Sequence, residues 1–176
     1  NNFNINFDYD SPLAVYLVKD LFDNANLATI DNESLYQWER TLTGADQILE
    51  KYAPNSIPII KHYWSILIPV YRESSKICLS ATHKYCVGAF AASWVPSKML
   101  AEGIIHEVAH SILYLIMNTK DLIKNNINLY YSPFRKDSRP ASGLLHALYS
   151  FHNVTLFLHS VCKSNGRIGK WASRSL

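Results

Sequence analysis

One stretch of the chain, GIIHEVAHSILYLIM from Gly103 to Met117, sets two histidines and a glutamate into an apolar run. On a helix, His106 and His110 lie one turn apart on the same face, so both imidazoles can reach a single divalent metal. Glu107 lies beside them and completes an HExxH motif. Burying three ionisable side chains among apolar neighbours without a shared partner would be costly. The motif therefore favours a metal site over two core histidines and a surface glutamate.

Length and composition are typical of one globular domain, residues 1–176. A chain of 176 residues can bury about two-thirds of the surface that its unfolded form exposes. Hydrophobic residues make up 48% of it and charged residues 18%, as in a globular protein with a proper core. The net charge of +3 is too small, and the cations are too scattered, to indicate a nucleic-acid partner.

Cysteine usage and hydropathy indicate the compartment. Cys78, Cys86 and Cys162 are an odd number without a CxxC pair, so neither a disulfide framework nor a zinc ribbon is indicated. Reduced thiols are favoured, although Cys78 and Cys86 could pair across a hairpin. No signal peptide can be read from Asn1 onward, and the longest apolar run, 64–70, is far too short for a membrane span. We expect a soluble, cytoplasmic protein without a membrane partner.

The order of predicted elements indicates an α+β fold with N-terminal helices. Helices are predicted over 13–27, from Asp31 onward, over 45–52, from about 98 to 118 and from about 142 to 161. Strands are predicted over 59–71, 76–82 and 87–94, in a small and mostly antiparallel sheet. Strands followed by one long metal-binding helix and a further ligand-bearing helix give an arrangement similar to that of the zincin proteases.

Two histidines need a third protein ligand, and the downstream choices are few. The extended motif HExxHxxGxxH is absent, because Leu113 and Ile116 occupy its glycine and third-histidine positions. No glutamate follows Glu107, which excludes the thermolysin-like arrangement. His146, on a polar stripe of the last apolar helix, is the preferred ligand. Asp121 is the alternative, because a carboxylate would complete the two-His-one-carboxylate triad of non-haem iron oxygenases.

The linker between the last two predicted helices is long and carries several cations. Loops of this length inside a compact domain are more often functional than decorative. Either Arg135 or Arg139 could hold the distal carboxylate of an organic acid through two parallel hydrogen bonds. Solvated loop charges are an equal alternative, and Asp137 between the arginines could orient one of them.

Three linked blocks resemble the HExxH-type peptide β-hydroxylases of bacterial ribosomal-peptide natural-product pathways. That family has an HExxH helix, a loop similar to YSPWRxDxRP and a helix that opens with LLHG followed by Tyr and Phe, and here the blocks read HEVAH, YSPFRKDSRP and GLLHALY. The matching positions are His106, Glu107, His110, Tyr131, Ser132, Pro133, Arg135, Asp137, Arg139, Pro140, Gly143, Leu144, Leu145, His146 and Tyr149. The match spans roughly residues 100 to 158, with Phe134 in place of the usual Trp and Ala147 in place of the common Gly.

The resemblance implies a zincin-like scaffold that uses Fe(II), 2-oxoglutarate and O2 to hydroxylate the β-carbon of a residue in a ribosomally made precursor peptide. Three neutral imidazoles would leave three coordination positions for a bidentate keto acid and O2. The residues that it assigns are the iron ligands His106, His110 and His146, the 2-oxoglutarate contacts Arg135 and Arg139, Glu107 in a catalytic or substrate-positioning role, and Ser132, Asp137 and Tyr149 in support.

Two other functions stay open on the sequence. A zinc metallopeptidase would use Glu107 as the general base that activates a metal-bound water. A peptide-binding module would capture an extended segment along an exposed strand edge, with the metal structural or lost.

Overall fold

The computed structural model describes residues 3–22, 26–71, 78–133 and 136–176, and these form a mixed α+β fold. Six helices and two small sheets are present in these ranges. The helices are α1 Pro12–Leu21, α2 Asn32–Tyr52, α3 Ile57–Tyr63, α4 Ser97–Thr119, α5 Ala141–Cys162 and α6 Arg167–Ser175. The strands are β1 Asn6–Phe7, β2 Asn26–Leu27, β3 Ile66–Tyr71, β4 Ser80–Thr82, β5 Ala89–Ser93, β6 Leu129–Tyr130 and β7 Arg139–Pro140.

The larger sheet has five strands, and its longest pairing is parallel. Strands β3 and β5 run in the same direction, in register from Ile66 opposite Ala89 to Val70 opposite Ser93. β4 pairs antiparallel with the outer side of β5. β1 pairs parallel with the start of β3, and β2 pairs antiparallel with its end. The prediction of a mostly antiparallel sheet is therefore wrong: the chain leaves β3, forms β4 first and only then returns as β5 between them.

The sheet separates two groups of buried side chains. Leu67 of β3 packs in the large core that α2, α4 and α5 supply. Its neighbour Ile68 points to the other face, where it packs against Leu17 and Val18 of α1. This alternation is the period of two that a pleated strand imposes. The sheet is consequently covered on both faces, with α4 in the main core.

The observed boundaries of several helices and strands differ from the predicted ones. The helix predicted over 13–27 ends at Leu21, and residues 26–27 pair with β3 instead. The strand predicted over 59–71 begins as helix α3, with Pro58 in its first turn, where a missing N–H costs nothing. Of the strand predicted over 76–82, Ser80–Thr82 forms β4, while residues 76 and 77 lie outside the described residues. Helix α6 was not predicted.

The two helices predicted after Asp31 are one continuous helix, α2, which passes through Gly44. Glycine inside a helix costs about 0.5–1 kcal/mol relative to alanine. Here α4 begins against α2, and a Cβ on Gly44 would overlap the side chain of Ser97. The bare backbone at Gly44 therefore lets the two helices approach closely. Ser97 is the first residue of α4, after Pro96 at the N-cap position.

Helix α4 is the central element of the fold. It packs against α2, α3, α5 and β4. Among the helices of the described residues, α4 alone is long and apolar enough to span a membrane. However, 56% of its most apolar window is buried inside the protein. The three cysteines are free thiols, as expected.

Candidate metal centre

Three histidines from two helices meet at a cavity of about 740 Å³ between α4 and α5. The four-residue spacing on α4 places His106 and His110 on one face, with their Nε2 atoms 3.0 Å apart. His146 on α5 reaches the same place, and its Nδ1 lies 3.0 Å from Nδ1 of His110. The structure thus brings together the three residues that the sequence suggested as metal ligands.

Burial keeps these imidazoles neutral. It lowers the pKa of His106 to about 4. It also lowers the pKa of His110, to about 3, with smaller effects from the charges of His106 and His146. The pKa of His146 is lowered by burial as well. The neutral imidazole is the form that binds a metal, so the cluster carries ligands in the required state at neutral pH.

The rings are not yet arranged around one point. In the described part of the chain, no three histidine, cysteine or acidic side chains present their ligand atoms to a common ion. His110 accounts for this, because its Nε2 faces His106 while its Nδ1, on the other side of the ring, faces His146. Only one nitrogen of an imidazole can reach a given ion. A shared metal therefore requires at least one of the three rings to move.

Glu107 faces the sheet. Its side chain is 1% exposed, and one carboxylate oxygen accepts a hydrogen bond of 2.7 Å from the Ser80 hydroxyl. The other accepts one of 2.8 Å from the Thr82 hydroxyl. Burial raises the pKa of Glu107 to about 7, although the hydrogen bonds from Ser80 and Thr82 lower it. Glu107 is not among the described residues that line the cavity.

The described lining of the cavity contains two cations and no acid. Lys84 comes from the turn after β4, and Arg139 comes from β7. The Nε of Arg139 lies 2.9 Å from Oδ2 of Asp137, which is itself outside the lining. Further polar lining is supplied by Tyr114, Asn118, Asn126, Ser132, Ser142 and Ser150. The cavity is therefore electropositive and suits an anionic ligand.

Other predicted residues lie in different surroundings. Ser132 is 4% exposed and lines the cavity. Tyr149 is absent from the described lining, and its backbone carbonyl accepts a hydrogen bond from Asn153. Asp121, the alternative third ligand, is exposed beyond the end of α4 and away from the lining. Arg135 falls outside the described residues.

Several residues at the site were missed from the sequence. Tyr114 follows His110 by four residues, so the same helical spacing that joined the histidines could have found it. Its ring centroid lies 4.2 Å from that of His146. Phe151 packs edge-on against His106, with 5.2 Å between the ring centroids, and no local pattern indicated this contact. The hydroxyl partners of Glu107 come from a distant strand and also had no local signal.

A second cavity, of about 530 Å³ between α2 and strands β2 and β3, contains none of the predicted site residues.

Comparison with known proteins assigns no family, because neither a scan against protein-family models nor a search of curated proteins gives a match.

Proposed function

We propose that this protein is an Fe(II)- and 2-oxoglutarate-dependent oxygenase that hydroxylates the β-carbon of a residue in a ribosomally made peptide. The observation that carries the proposal is the meeting of His106, His110 and His146 at one electropositive cavity. The linked loop and helix blocks of the sequence support the same chemistry. A zincin-like scaffold is part of the proposal, supported by the position of β4 at the sheet edge beside α4.

The donor set fits a first-row transition metal. Imidazole is a ligand of intermediate softness that suits iron and zinc alike. Three neutral histidines add no negative charge and leave open positions on a six-coordinate ion. Once bound, Fe(II) and 2-oxoglutarate would supply the oxidation, in which the keto acid becomes succinate and CO2 while one oxygen atom of O2 enters succinate and the other enters a C–H bond.

The protein's own cations would hold the acidic cosubstrate. Arg139 lines the cavity and can bind a carboxylate through two N–H groups. Asp137 contacts one side of this guanidinium, with its Oδ2 2.9 Å from the Nε of Arg139. No acid is among the described lining residues, although the Asp137 carboxylate beside Arg139 offsets part of the positive charge there. Arg135 is proposed for the same role on the sequence pattern alone.

The peptide would bind along β4. The outer edge of this strand pairs with no other strand among the described residues. An extended peptide can add to such an edge through backbone hydrogen bonds. Since β4 contacts α4, a peptide held there lies next to the helix that carries the histidines.

The setting of Glu107 favours the oxygenase over a zinc metallopeptidase. A general base must lie within hydrogen-bond reach of the water that it activates. Both oxygens of Glu107 are instead held by Ser80 and Thr82, and the carboxylate is sealed from the cavity. In this arrangement the glutamate joins a helix to a strand.

The test is an anaerobic titration of metal-free protein with Fe(II) and then 2-oxoglutarate, followed by exposure to O2. We expect a charge-transfer absorption band and the release of succinate, even without peptide, through uncoupled turnover. The variant His146→Ala should lose the band, whereas His159→Ala, which removes an exposed histidine from the same helix, should keep it. Peptide cleavage with zinc and without keto acid would instead establish the metallopeptidase.

A further inference from the structure

Besides Arg139 and the histidines, the cavity lining includes Tyr114 and Lys84, a phenol and an ammonium group. Tyr114 continues the stripe of His106 and His110 along α4, four residues further on. This residue is half-buried, its ring centroid lies 4.2 Å from that of His146, and it lines the same cavity. Lys84 lines the same cavity from the turn after β4.

The turn that carries Lys84 is anchored on two sides. Immediately before it, the Thr82 hydroxyl donates to Glu107 of α4. His83 places its Nε2 3.0 Å from Oδ2 of Asp20 on α1. Because its two preceding neighbours are both fixed, the backbone at Lys84 has a defined position at the cavity. The lysine side chain itself is exposed, and its Nζ lies 4.7 Å from the centre of the exposed Tyr85 ring.

We propose that Tyr114 and Lys84 form a carboxylate-binding subsite beside His146, separate from Arg139. The phenol supplies an O–H donor and the ammonium supplies N–H donors and charge, which together match one carboxylate group. This subsite rests on the proposed function, and it specifies which residues hold each carboxylate of the keto acid. The keto acid spans the cavity, with the carboxylate next to the keto group at Tyr114 and Lys84 and the distal carboxylate at Arg139.

Two keto acids of different length test this assignment. Pyruvate has only the carboxylate next to its keto group, whereas 2-oxoglutarate has a distal one as well. Dissociation constants for both are measured by calorimetry on the zinc-loaded protein, where no turnover occurs, and on the metal-free protein. Lys84→Met and Tyr114→Phe should each weaken both ligands by about tenfold or more, as expected for the loss of one charged hydrogen bond. Arg139→Met should weaken 2-oxoglutarate and leave pyruvate unchanged.

Two further variants serve as controls. Lys84→Arg keeps the charge and should restore most of the affinity, while Lys120→Met removes an exposed cation outside the cavity lining and should have no effect. Unchanged affinities in Lys84→Met and Tyr114→Phe would overturn the subsite, even in a protein that forms succinate with iron. Conversely, keto-acid binding that depends on Lys84 in a protein without oxygenase activity would keep the subsite and reject the oxygenase.

Discussion

The hydroxyl of Thr82 donates a hydrogen bond of 2.8 Å to the carboxylate of Glu107. This bond crosses 25 positions of sequence and joins the strand at the edge of the sheet to the helix that carries two of the three histidines. Ser80 makes the matching bond to the other oxygen. Glu107, placed within an apparent hydrolytic motif, thus has a structural partner for each of its oxygens.

Removing the Thr82 hydroxyl should destabilise the protein. The variant Thr82→Val keeps the shape of the side chain but leaves a fully buried carboxylate oxygen with one donor fewer. We expect a loss of about 1–3 kcal/mol in the free energy of unfolding, measured by urea denaturation at pH 8. Thr82→Ser retains the hydroxyl and should lose less. Equal stability of Thr82→Val and the wild type would mean that the bond contributes nothing.

Acid should destabilise the metal-free protein through its histidine cluster. The pKa values of His106 and His110 are about 4 and about 3 in the folded protein, against about 6.5 in an unfolded chain. Between these limits the unfolded chain binds more protons, so the free energy of unfolding falls as the pH falls from about 6.5 toward 4. Denaturation in the presence of EDTA across this range measures the effect.

Glu107 changes the free energy of unfolding in the opposite direction as the pH falls. The control must therefore keep Glu107 and remove only the histidines. Because burial raises the pKa of Glu107 from 4.5 to about 7, its favourable contribution is present below pH 4.5 and is lost as the pH rises through 7. The double variant His106→Gln/His110→Gln keeps this contribution and removes the histidines. As the pH falls from 6.5 toward 4, the free energy of unfolding of the wild type should decrease relative to that of the double variant. A constant difference would contradict neutral burial of the two imidazoles.

Two glycines inside helices should respond oppositely to alanine. In an exposed helix interior, Gly→Ala is stabilising by about 1 kcal/mol. At Gly44 the added Cβ would overlap Ser97, so Gly44→Ala should lower the melting temperature. At Gly103 the added Cβ would meet the Cys78 sulfur at 3.5 Å, an ordinary contact, so Gly103→Ala should be neutral or stabilising. Thermal unfolding followed by circular dichroism compares the two, and a higher melting temperature for Gly44→Ala would disprove the close approach.

The helices that hold the histidines were predictable because their signals are local. Both α4 and α5 are long runs with few polar interruptions, and their observed ends lie within one residue of the predicted ones. The spacing of His106 and His110 fixes their common face without any tertiary information. His146 required more than periodicity, since its approach to His110 depends on how α4 packs against α5.

The remaining features depend on contacts between distant segments. Gly44 weakens a helix by propensity, and its proximity to Ser97, 53 positions along the chain, is visible only in the folded protein, where α2 runs through it. The parallel pairing of β3 with β5 follows from the placement of β4 on the outside, which no short-range pattern encodes. The electropositive lining combines Lys84 with Arg139, which are 55 positions apart, and the sequence linked only the second to the site.

His110 uses both ring nitrogens for contacts with other imidazoles, and this ties the protonation patterns of three residues together. A neutral imidazole donates from one nitrogen and accepts at the other, so the two hydrogen bonds in the row must run in the same sense, either from His106 toward His146 or back. The metal-free cluster therefore has two alternative tautomeric arrangements. A metal on Nε2 of His110 would take the lone pair that accepts from His106 and so replace that hydrogen bond, and the proton would stay on Nδ1, where it is donated to Nδ1 of His146. Loading of the site is then coupled to the tautomer of a residue on the neighbouring helix.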